Sequence, residues 1–384
     1  MKICFIGWGD SIHTQRWIKW FRDKGHDVYL ITDRPSNMPG IKEYDISSRQ
    51  HYTGSRLKRY SRLEFNSYGL RSLLKKMRID VLKQMLEIRK LISQHIKPDV
   101  VHLHTLLYPA YLGVFSKARP LVVTIWNGDI TWKQDWSLFR KFAVKKGLAT
   151  ADLITVDSDE LREKTLWYGD YSGKTAFISF GVDTKRFHPG AKPSDIRQKL
   201  NIEADAPLAL SNRSLEDIYN IDVIIKAIPT VLAAFPKTIF LFAWHSASRK
   251  AFLMELTERL GVMDNVRFIG RIKHEELPPY YAEADIFISV PGGDTIPISL
   301  LEAMACGAAP IVSDLPSLRE CITDGVNGCI VPLRDAEATA QAVIKLLTDH
   351  RLRESFVKRN CEWVVQHMDW DANMRKVEEL YYRL

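Results

Sequence analysis

No apolar run in the 384-residue sequence approaches the roughly 18–20 residues that a membrane-spanning helix needs. We therefore expect no integral membrane protein. The apolar stretch near the N-terminus is also short, because Gly7 and Asp10 follow soon after Ile3 and Ile6. An interruption at this point excludes a secretory signal peptide.

Cysteine is scarce and shows no pairing pattern. The five cysteines are an odd number and include no CxxC motif. This usage is typical of free thiols in a reducing cytoplasm, and it argues against a disulfide framework or a zinc site. No cluster of His, Asp and Cys has the spacing of metal ligands either. We therefore predict a cytoplasmic protein with no cofactor and no metal.

Acidic residues are few in one region of the chain. Residues 51–90 contain eleven Lys or Arg against three acidic residues, a surplus equal to the whole net charge of +8. Tyr60, Phe65 and Tyr68 are interleaved with these charges. The segment is either a surface for anionic lipid or an anionic acceptor, or a solvated helix face whose apolar residues turn inward. We expect no nucleic-acid partner, because no nucleic-acid-binding motif accompanies the charges.

What the sequence does contain is a regular alternation of short apolar strands and helices. It predicts strands at 3–6, 27–31, 100–103, 121–125, 153–156, 176–178, 208–210, 239–242, 266–269, 286–290 and 310–313. Helices are predicted at 221–234, 250–260, 298–306 and 335–348, and a further one after the first strand has Trp17, Trp20 and Phe21 on one face. This alternation is typical of parallel sheets covered on both faces.

We therefore predict an α/β fold of two doubly wound, Rossmann-like domains that face each other across a cleft. The segment from Gly190 to Asp205 is rich in Pro, Lys and Asp and is the best linker candidate. The predicted N-terminal domain covers 1–188 and the predicted C-terminal domain covers 189–357.

The first strand raises one alternative, a nicotinamide cofactor. Gly7 and Gly9 begin a GxGxxG-like run, and Asp33 follows the second strand. Ile12, however, occupies the position of the third glycine, and Asp10 would lie close to a pyrophosphate. The incomplete motif argues against dinucleotide binding.

The most informative stretch is 290–314. A Gly-Gly loop follows a strand and leads into a helix that begins near Pro297. The N–H groups at the start of such a helix suit a diphosphate. Asp294 in the loop and Glu302 in the helix are eight positions apart, so their carboxylates can accept hydrogen bonds from hydroxyls on either side of that diphosphate. The arrangement suits a nucleotide sugar.

This stretch resembles the donor-site motif of retaining GT-B glycosyltransferases of family 4, also called group 1, in which an acidic residue precedes the glutamate of LLEAMACG by eight positions. Residues 300–307 read LLEAMACG, and PIVSD follows at 310–314. Other segments are similar to motifs of the same family: GVD with a later Phe at 181–187, RFIG at 267–270, HEEL at 274–277 and DVVHLH at 99–104.

The resemblance implies a role for each matching residue. Glu302 would bind the nucleotide ribose, Asp294 the hydroxyls of the donor sugar, and Arg213 the leaving diphosphate. The remaining nucleotide-sugar contacts fall on Gly9, Tyr219, Arg271, Gly293, Thr295, Ile296 and Ile298. The acceptor-side candidates are His13, Arg16, Trp126 and Asp129, of which His13 and Arg16 either reach the acceptor or are solvated. The family fold further implies that the C-terminal residues 358–384 pack back on the N-terminal domain.

Three positions depart from the family pattern. Asp294 stands where the family has a glutamate, which can alter the preference for the donor sugar. Tyr219 and Asn220 replace a Lys-Gly pair, so the second phosphate cation is missing or comes from elsewhere. Trp126 occupies the usual position of an active-site histidine. His102 and His104 alternate along a strand, so we expect only one of the two to face the cleft.

The implied activity is transfer of a sugar, with retained anomeric configuration and without a metal, from a nucleotide diphosphate sugar to a hydroxyl acceptor in polysaccharide, glycolipid or glycoconjugate biosynthesis. Because the N-terminal domain handles acceptors in this family, segment 51–90 favours a lipid-linked acceptor and peripheral contact with the cytoplasmic membrane face. Two alternatives stay open. One is a sugar-nucleotide epimerase of the same architecture, and the other is a non-catalytic nucleotide-sugar-binding homologue.

Overall fold

The computed structural model describes residues 1–36, 38–47, 80–130, 138–191 and 195–384. These residues form two compact units. The N-terminal domain comprises Met1–Asp157, Leu161–Ile178 and Lys376–Leu384, and the C-terminal domain comprises Ser158–Glu160 and Ser179–Arg375.

Residues 179–188 belong to the C-terminal domain, whereas the sequence predicts the boundary after residue 188. Val182 pairs with Asp369 in a parallel bridge, and its N–H donates to the Met368 carbonyl at 2.8 Å. Gly181 has a φ of 60°, and a Cβ at this position would lie 2.9 Å from the same carbonyl oxygen. These contacts hold Gly181 and Val182 against the segment that leads into the last helix, Trp370–Tyr382. The residues of that helix from Lys376 onward belong to the N-terminal domain.

The N-terminal domain is built on a seven-stranded parallel sheet in the order β3-β2-β1-β4-β5-β6-β7. Its strands are β1 (Lys2–Ile6), β2 (Asp27–Thr32), β3 (Lys42–Asp45), β4 (Val100–Leu103), β5 (Leu121–Thr124), β6 (Leu153–Val156) and β7 (Thr175–Phe177). The central strands β4, β5 and β6 are buried along their whole length, because helices cover both faces of the sheet.

The first helix shows how the apolar pattern sets this layer. It buries Trp17, Trp20 and Phe21, which confirms the predicted aromatic face, and Gly25 with a φ of 85° follows its end. The α-helices in this half of the chain span Ile12–Asp23, 80–90, Ala110–Gly113, Asn127–Ile130, Leu138–Thr150 and Asp159–Leu166, with a π-helical turn at Leu91–Ile96 and 3-10 turns at Val114–Ser116 and Ser172–Lys174.

The C-terminal domain is built on a six-stranded parallel sheet in the order β10-β9-β8-β11-β12-β13. Its strands are β8 (Leu208–Asn212), β9 (Ile239–Ala243), β10 (Val266–Gly270), β11 (Ile286–Ser289), β12 (Ala309–Ser313) and β13 (Cys329–Val331). The α-helices span Ile196–Lys199, Ile221–Ala234, Lys250–Arg259, Leu277–Glu283, Ile298–Cys306, Pro316–Arg319, Ala336–Thr348, His350–His367 and Trp370–Tyr382, with 3-10 turns at Asp217–Tyr219, Met263–Asn265 and His274–Glu276.

Every predicted strand is present, which confirms the α/β, Rossmann-like architecture of both domains. Two edge strands are additional to the prediction. β3 reads KEYD and exposes both of its ends, and β13 has three residues. β3 lacks the run of apolar residues from which the other strands are inferred, because an edge strand is covered less completely than a central one. β13 reads CIV and is apolar, so this explanation does not apply to it.

Most of the basic segment 51–90 lies outside the described residues, which resume at 80. The described part is helical, buries Ile88, and exposes Leu82, Lys83, Leu86 and Lys90. Within the described ranges, no helix combines the length and the apolar composition that crossing a membrane requires.

Candidate functional site

The polar residues that the sequence singles out in the C-terminal domain follow the carboxyl ends of parallel strands. β11 ends at Ser289, and the loop 290–297 leads from it to the helix Ile298–Cys306. Three hydrogen bonds of 2.7 Å hold this loop: Gly292 N–H to the Ile218 carbonyl, Ser313 Oγ to the Pro291 carbonyl, and Ser317 Oγ to the Asp294 carbonyl. Three neighbouring segments therefore fix the backbone that precedes the helix.

The helix after the loop starts without a side-chain cap. Pro297 occupies the N-cap position and makes no side-chain hydrogen bond to the first turn. The predicted contacts Ile296 and Ile298 flank this start, Ile296 buried and Ile298 half-buried. Gly293 borders open space, because a Cβ built there would meet no atom within 4 Å. Uncapped N–H groups at a helix start carry partial positive charge and favour an anion.

Arg213 follows β8 directly and lies beside this loop. One terminal nitrogen donates to the Asp294 carboxylate, and the other donates to the Ser299 hydroxyl at 3.0 Å. The Tyr219 ring centroid lies 4.5 Å from the guanidinium carbon. Among the described residues, the buried Nε of Arg213 has no hydrogen-bond partner. Leaving such a donor unpaired costs about 1–3 kcal/mol.

Asp294 links Arg213 to the loop backbone. It pairs with the guanidinium, and its Oδ1 accepts a hydrogen bond from the Thr295 N–H at 3.0 Å. The Thr295 amide, a predicted phosphate contact, is therefore used by the neighbouring carboxylate. The side chains of Arg213 and Asp294 are 10% and 20% exposed, so the pair is largely removed from water.

Tyr219 and Asn220 differ in what they contribute at the position of the family's Lys-Gly pair. Tyr219 stacks on Arg213 and supplies no charge, and burial raises the pKa of its phenol. Asn220 has a φ of 49°, in the left-handed region that Gly and Asn adopt most readily. Its Nδ2 donates to the Val290 carbonyl at 2.9 Å, a bond that glycine could not make.

Glu302 is buried, with 3% of its surface exposed, and both of its oxygens have partners. Nε2 of His274 lies 2.6 Å from Oε1, and the Tyr281 hydroxyl donates to Oε2 at 3.2 Å. The Tyr281 hydroxyl in turn accepts from Nδ2 of Asn212 at 2.9 Å. Burial, and then the charge of Glu302, raises the pKa of Tyr281, so its hydroxyl remains a donor.

Arg271 lies at the same edge of the sheet. It follows β10, which ends at Gly270 with a φ of 80°, and its side chain is exposed. The Gly270 carbonyl accepts a hydrogen bond from the Trp244 N–H at 3.1 Å. Because all strands of this sheet are parallel, the backbone at Arg271 and the loop at Asp294 both lie at the carboxyl ends of strands.

In the N-terminal domain, Gly9 is required by close packing. Its N–H donates to the Thr32 hydroxyl at 3.0 Å. A Cβ at this position would clash with the Arg34 carbonyl and lie 2.8 Å from the Ser36 nitrogen. The packing of the 34–36 loop therefore explains the glycine independently of any ligand.

Two of the acceptor-side candidates, His13 and Asp129, contact Trp126. The His13 ring lies edge-on to Trp126 with centroids 5.6 Å apart, and the Trp8 ring does so at 6.0 Å. Both His13 and Arg16 are half-buried on the first helix. These aromatic rings form a surface of the kind that packs against a sugar or a lipid headgroup.

Asp129 lies beneath this surface and is fully buried. Its Oδ1 accepts from the Thr105 hydroxyl at 2.7 Å, and its Oδ2 accepts from the N–H groups of Leu106 and Trp126 at 2.9 and 2.8 Å. Burial raises the pKa of this carboxyl to about 6. Asp129 therefore positions the backbone of Trp126 from inside the domain.

His102 and His104 are both fully buried, contrary to the expectation that one of them faces outward. Nε2 of His102 lies 2.7 Å from the Thr124 hydroxyl, and its Nδ1 lies 2.6 Å from the Tyr381 hydroxyl. His104 leaves β4 one residue after its end, and its ring lies 4.9 Å from that of Trp17, which also packs on His102 at 5.1 Å. Both imidazoles are thus part of the aromatic core.

The sequence interpretation assigned no role to Ser299, His274 or Tyr281. His274 belongs to the HEEL segment that is similar to a family motif, and Tyr281 lies in the helix Leu277–Glu283 that follows, but their contact with Glu302 depends on the fold. Within the described part of the chain, no three His, Cys, Asp or Glu residues are placed to hold a metal ion.

Two family models match the chain, one for each domain. Residues 193–363 match glycosyl transferases group 1, and residues 2–158 match glycosyl transferase 4-like. The D-inositol 3-phosphate glycosyltransferase 2 of Catenulispora acidiphila is 28% identical over 61% of this chain and 56% of its own. The GDP-mannose-dependent alpha-(1-6)-phosphatidylinositol monomannoside mannosyltransferase of Mycolicibacterium smegmatis is 25% identical over 71% of this chain and 73% of its own.

The chain thus spans a little more than half the length of the Catenulispora relative. Among solved structures, Anabaena HepE in complex with UDP-glucose covers 100% of both chains with a TM-score of 0.78 at 17% identity, which shows the same fold. The two parallel sheets, the loop-and-helix arrangement at Arg213 and Asp294, and the paired family models lead to one conclusion. The chain belongs to the GT-B glycosyltransferases of family 4.

Proposed function

We propose that this protein transfers a sugar from a nucleoside diphosphate sugar to a hydroxyl acceptor, with retention of the anomeric configuration. The arrangement of Arg213 carries the proposal. Its guanidinium lies between Asp294 and an uncapped helix start, and its buried Nε–H is left over for a ligand. A leaving diphosphate needs a fixed cation and N–H donors where its negative charge grows.

In the proposed reaction, the bond from the anomeric carbon to the diphosphate oxygen breaks, and the acceptor oxygen bonds to the same face of that carbon. The acceptor proton passes to the departing phosphate oxygen. Arg213 and the N–H groups at the helix start stabilise the charge that develops there, and one such donor is typically worth about 3 kcal/mol. The proposal uses no side-chain nucleophile and no metal.

Asp294 and Glu302 recognise different parts of the donor in this proposal. Asp294 exchanges its bond to Arg213 for bonds to hydroxyls of the sugar when the diphosphate takes the guanidinium. Glu302 accepts from the ribose hydroxyls. The Asp294 side chain is one methylene shorter than the family's glutamate, and its carboxylate accepts a hydrogen bond from Thr295 N–H. Both features limit how far the carboxylate reaches toward the sugar.

The donor is identified by a thermal-shift screen with UDP-, GDP-, ADP-, CMP- and dTDP-sugars. A ligand at about 100 times its Kd adds about 2.7 kcal/mol to the unfolding free energy, enough to raise Tm by a few degrees. We expect one base to be selected. Incubation with that donor alone then separates transfer from epimerisation, because an epimerase would convert the donor without an acceptor. No shift with any donor at millimolar concentration would contradict the proposed donor site.

Replacing Arg213 tests the mechanism, and Arg249 offers a matched control. Arg249 also lies over an aromatic ring, 4.5 Å from Phe252, and also pairs with a carboxylate, 2.7 Å from Asp217. We expect Arg213→Ala to lower kcat about 100-fold or more, and Arg249→Ala to leave kcat within about twofold. Equal turnover by the two variants would remove Arg213 from the proposed role.

We further propose that the acceptor is linked to a lipid and that the protein acts at the cytoplasmic face of a membrane. Its product would be part of a polysaccharide, a glycolipid or another glycoconjugate. The surplus of positive charge in 51–90 supports this, and one relative is by name a phosphatidylinositol monomannoside mannosyltransferase. The protein should sediment with vesicles that contain anionic lipid and remain in solution with neutral ones. Absence of binding to anionic vesicles at low salt would contradict this part of the proposal.

A further inference from the structure

The buried carboxylate of Glu302 is held between two side chains, His274 and Tyr281. Among the described residues, His274 is the one basic side chain within 4 Å of it, with Nε2 at 2.6 Å from Oε1. Tyr281 donates to the other oxygen from a fully buried position. A buried carboxylate without such partners protonates or turns away.

The two donors leave acceptor capacity on the side of the carboxylate that they do not occupy. An ionised carboxylate has about four acceptor positions, and His274 and Tyr281 use one on each oxygen. The free positions on the two oxygens can accept from two neighbouring hydroxyls at once. A ribose presents such a pair, whereas a 2′-deoxyribose presents a single hydroxyl.

Phe187 restrains both donors. Its buried ring lies 5.2 Å from the His274 ring and 6.1 Å from the Tyr281 ring. Asn212 adds a hydrogen bond to the Tyr281 hydroxyl at 2.9 Å. The imidazole and the phenol are therefore held in position before any ligand arrives, and the carboxylate between them has one preferred orientation.

We propose that His274 and Tyr281 are positioning residues for Glu302, and that through it they set the preference of the site for a ribonucleotide over the 2′-deoxyribonucleotide. The inference rests on the proposed role of Glu302 in binding ribose. It adds that the preference for the ribonucleotide is lost when Glu302 is present but the hydrogen bonds from His274 and Tyr281 are removed.

Isothermal titration with four nucleotides, UDP, GDP, ADP and CDP, each compared with its 2′-deoxy form, tests the inference on the full chain. His274→Phe keeps a ring beside Phe187 and removes the donor. His274→Gln keeps a donor of similar reach. His367→Phe is the matched control, because His367 also stacks on an aromatic ring, Trp363 at 5.5 Å, but lies on the exposed face of another helix.

We expect the wild-type protein to bind the ribose form of one nucleotide about tenfold more tightly than its deoxy form. In His274→Phe, affinity for the ribose form should fall to that of the deoxy form, while the deoxy affinity changes little. His274→Gln should restore most of the ratio, and His367→Phe should keep all of it. Tyr281→Phe should reduce the ratio by a smaller factor, since its bond is the longer one at 3.2 Å.

The outcomes distinguish failure of this inference from failure of the proposed ribose role of Glu302. If His274→Phe weakens the ribose and deoxy forms equally, His274 is merely structural and the inference is overturned. The same holds if the ratio survives in both His274→Phe and Tyr281→Phe. If the wild-type protein binds both forms equally, or binds none of the four nucleotides, the ribose role of Glu302 fails and the inference fails with it.

Discussion

Two pairs of buried polar side chains, one pair in each domain, differ in how many of their hydrogen-bonding positions are used. In the N-terminal domain, His102 and Asp129 are fully buried, and every side-chain polar atom of either residue has a partner within the domain. In the C-terminal domain, Arg213 has a buried N–H without a partner among the described residues, and Glu302 has acceptor positions to spare. Satisfied groups stabilise a fold, whereas groups left over mark where a ligand binds.

This contrast predicts that substitutions separate into two classes. Those in the N-terminal network change the free energy of unfolding and leave donor affinity alone. Substitutions at Arg213 and Glu302 lower donor affinity and leave the free energy of unfolding nearly unchanged. Measuring the free energy of unfolding and the donor affinity of the same variant distinguishes one class from the other.

The largest effect on stability is expected for Asp129→Ala. The change leaves the Thr105 hydroxyl and the N–H groups of Leu106 and Trp126 without their acceptor. Urea unfolding should show a loss of about 3 kcal/mol or more, with nucleotide affinity unchanged. Asp170→Ala, at an exposed carboxylate, should cost less than about 1 kcal/mol. A fall in nucleotide affinity with Asp129→Asn, the milder variant, would break the contrast.

Glu302→Gln should act on the other quantity. Hydrogen bonds to a charged group contribute about 1.5–3 kcal/mol, so we expect the nucleotide Kd to rise about tenfold or more. Glu283→Gln is the control, because Glu283 is 13% exposed and pairs with Arg197 at 2.8 Å in the same domain. Its loss should lower stability and leave Kd unchanged. An unchanged Kd in Glu302→Gln would count against the ribose assignment.

Lowering the pH should reduce the free energy of unfolding through the buried side chain of His102. Burial lowers the pKa of His102 to about 3, below its unfolded value near 6.5. The stability that neutral His102 contributes is therefore fully present above pH 6.5 and is lost as the pH falls from 6.5 toward 3, by up to about 1.4 kcal/mol per pH unit.

Asp129 acts in the opposite direction, because its raised pKa of about 6 adds stability as the pH falls through 6 toward its unfolded value near 3.9. The test therefore compares how steeply the unfolding free energy changes with pH in a His102 variant and in the wild type. The unfolding free energy of His102→Gln should fall less steeply between pH 6.5 and 4 than that of the wild type. Identical slopes would show that His102 does not titrate on unfolding in this range.

The smallest effect is expected at Tyr219. Its ring stacks on the Arg213 guanidinium at 4.5 Å, a contact worth about 0.5–1 kcal/mol. Tyr219→Leu should weaken nucleotide binding by up to about fivefold, while Tyr219→Phe, which keeps the ring, should bind as the wild type does. Equal losses in the two variants would assign the effect to the hydroxyl instead.

The architecture is predictable from the sequence because its signals are local. Apolar residues predominate in each central strand, as in VVHL at β4 and LITV at β6, and the helix after the Gly-Gly loop is predicted from its own motif. The partners of the site residues are not local: 81 positions separate Arg213 from Asp294, and 28 separate His274 from Glu302. The burial of Asp129 is also hidden, because an Asp in an Asn-Gly-Asp turn reads as a surface residue. Only the fold shows which polar groups meet.

The pairing of Arg213 with Asp294 also bears on which anions the site selects. Each residue is the other's counterion, so the local charge is already balanced. Inorganic phosphate or sulfate could take the guanidinium only by leaving a half-buried carboxylate unneutralised and without its partner. A molecule that joins an anion to a row of hydroxyls satisfies both residues at once. We therefore expect free phosphate to be a poor competitor, which lets a site of this kind operate among the abundant small anions of a cell.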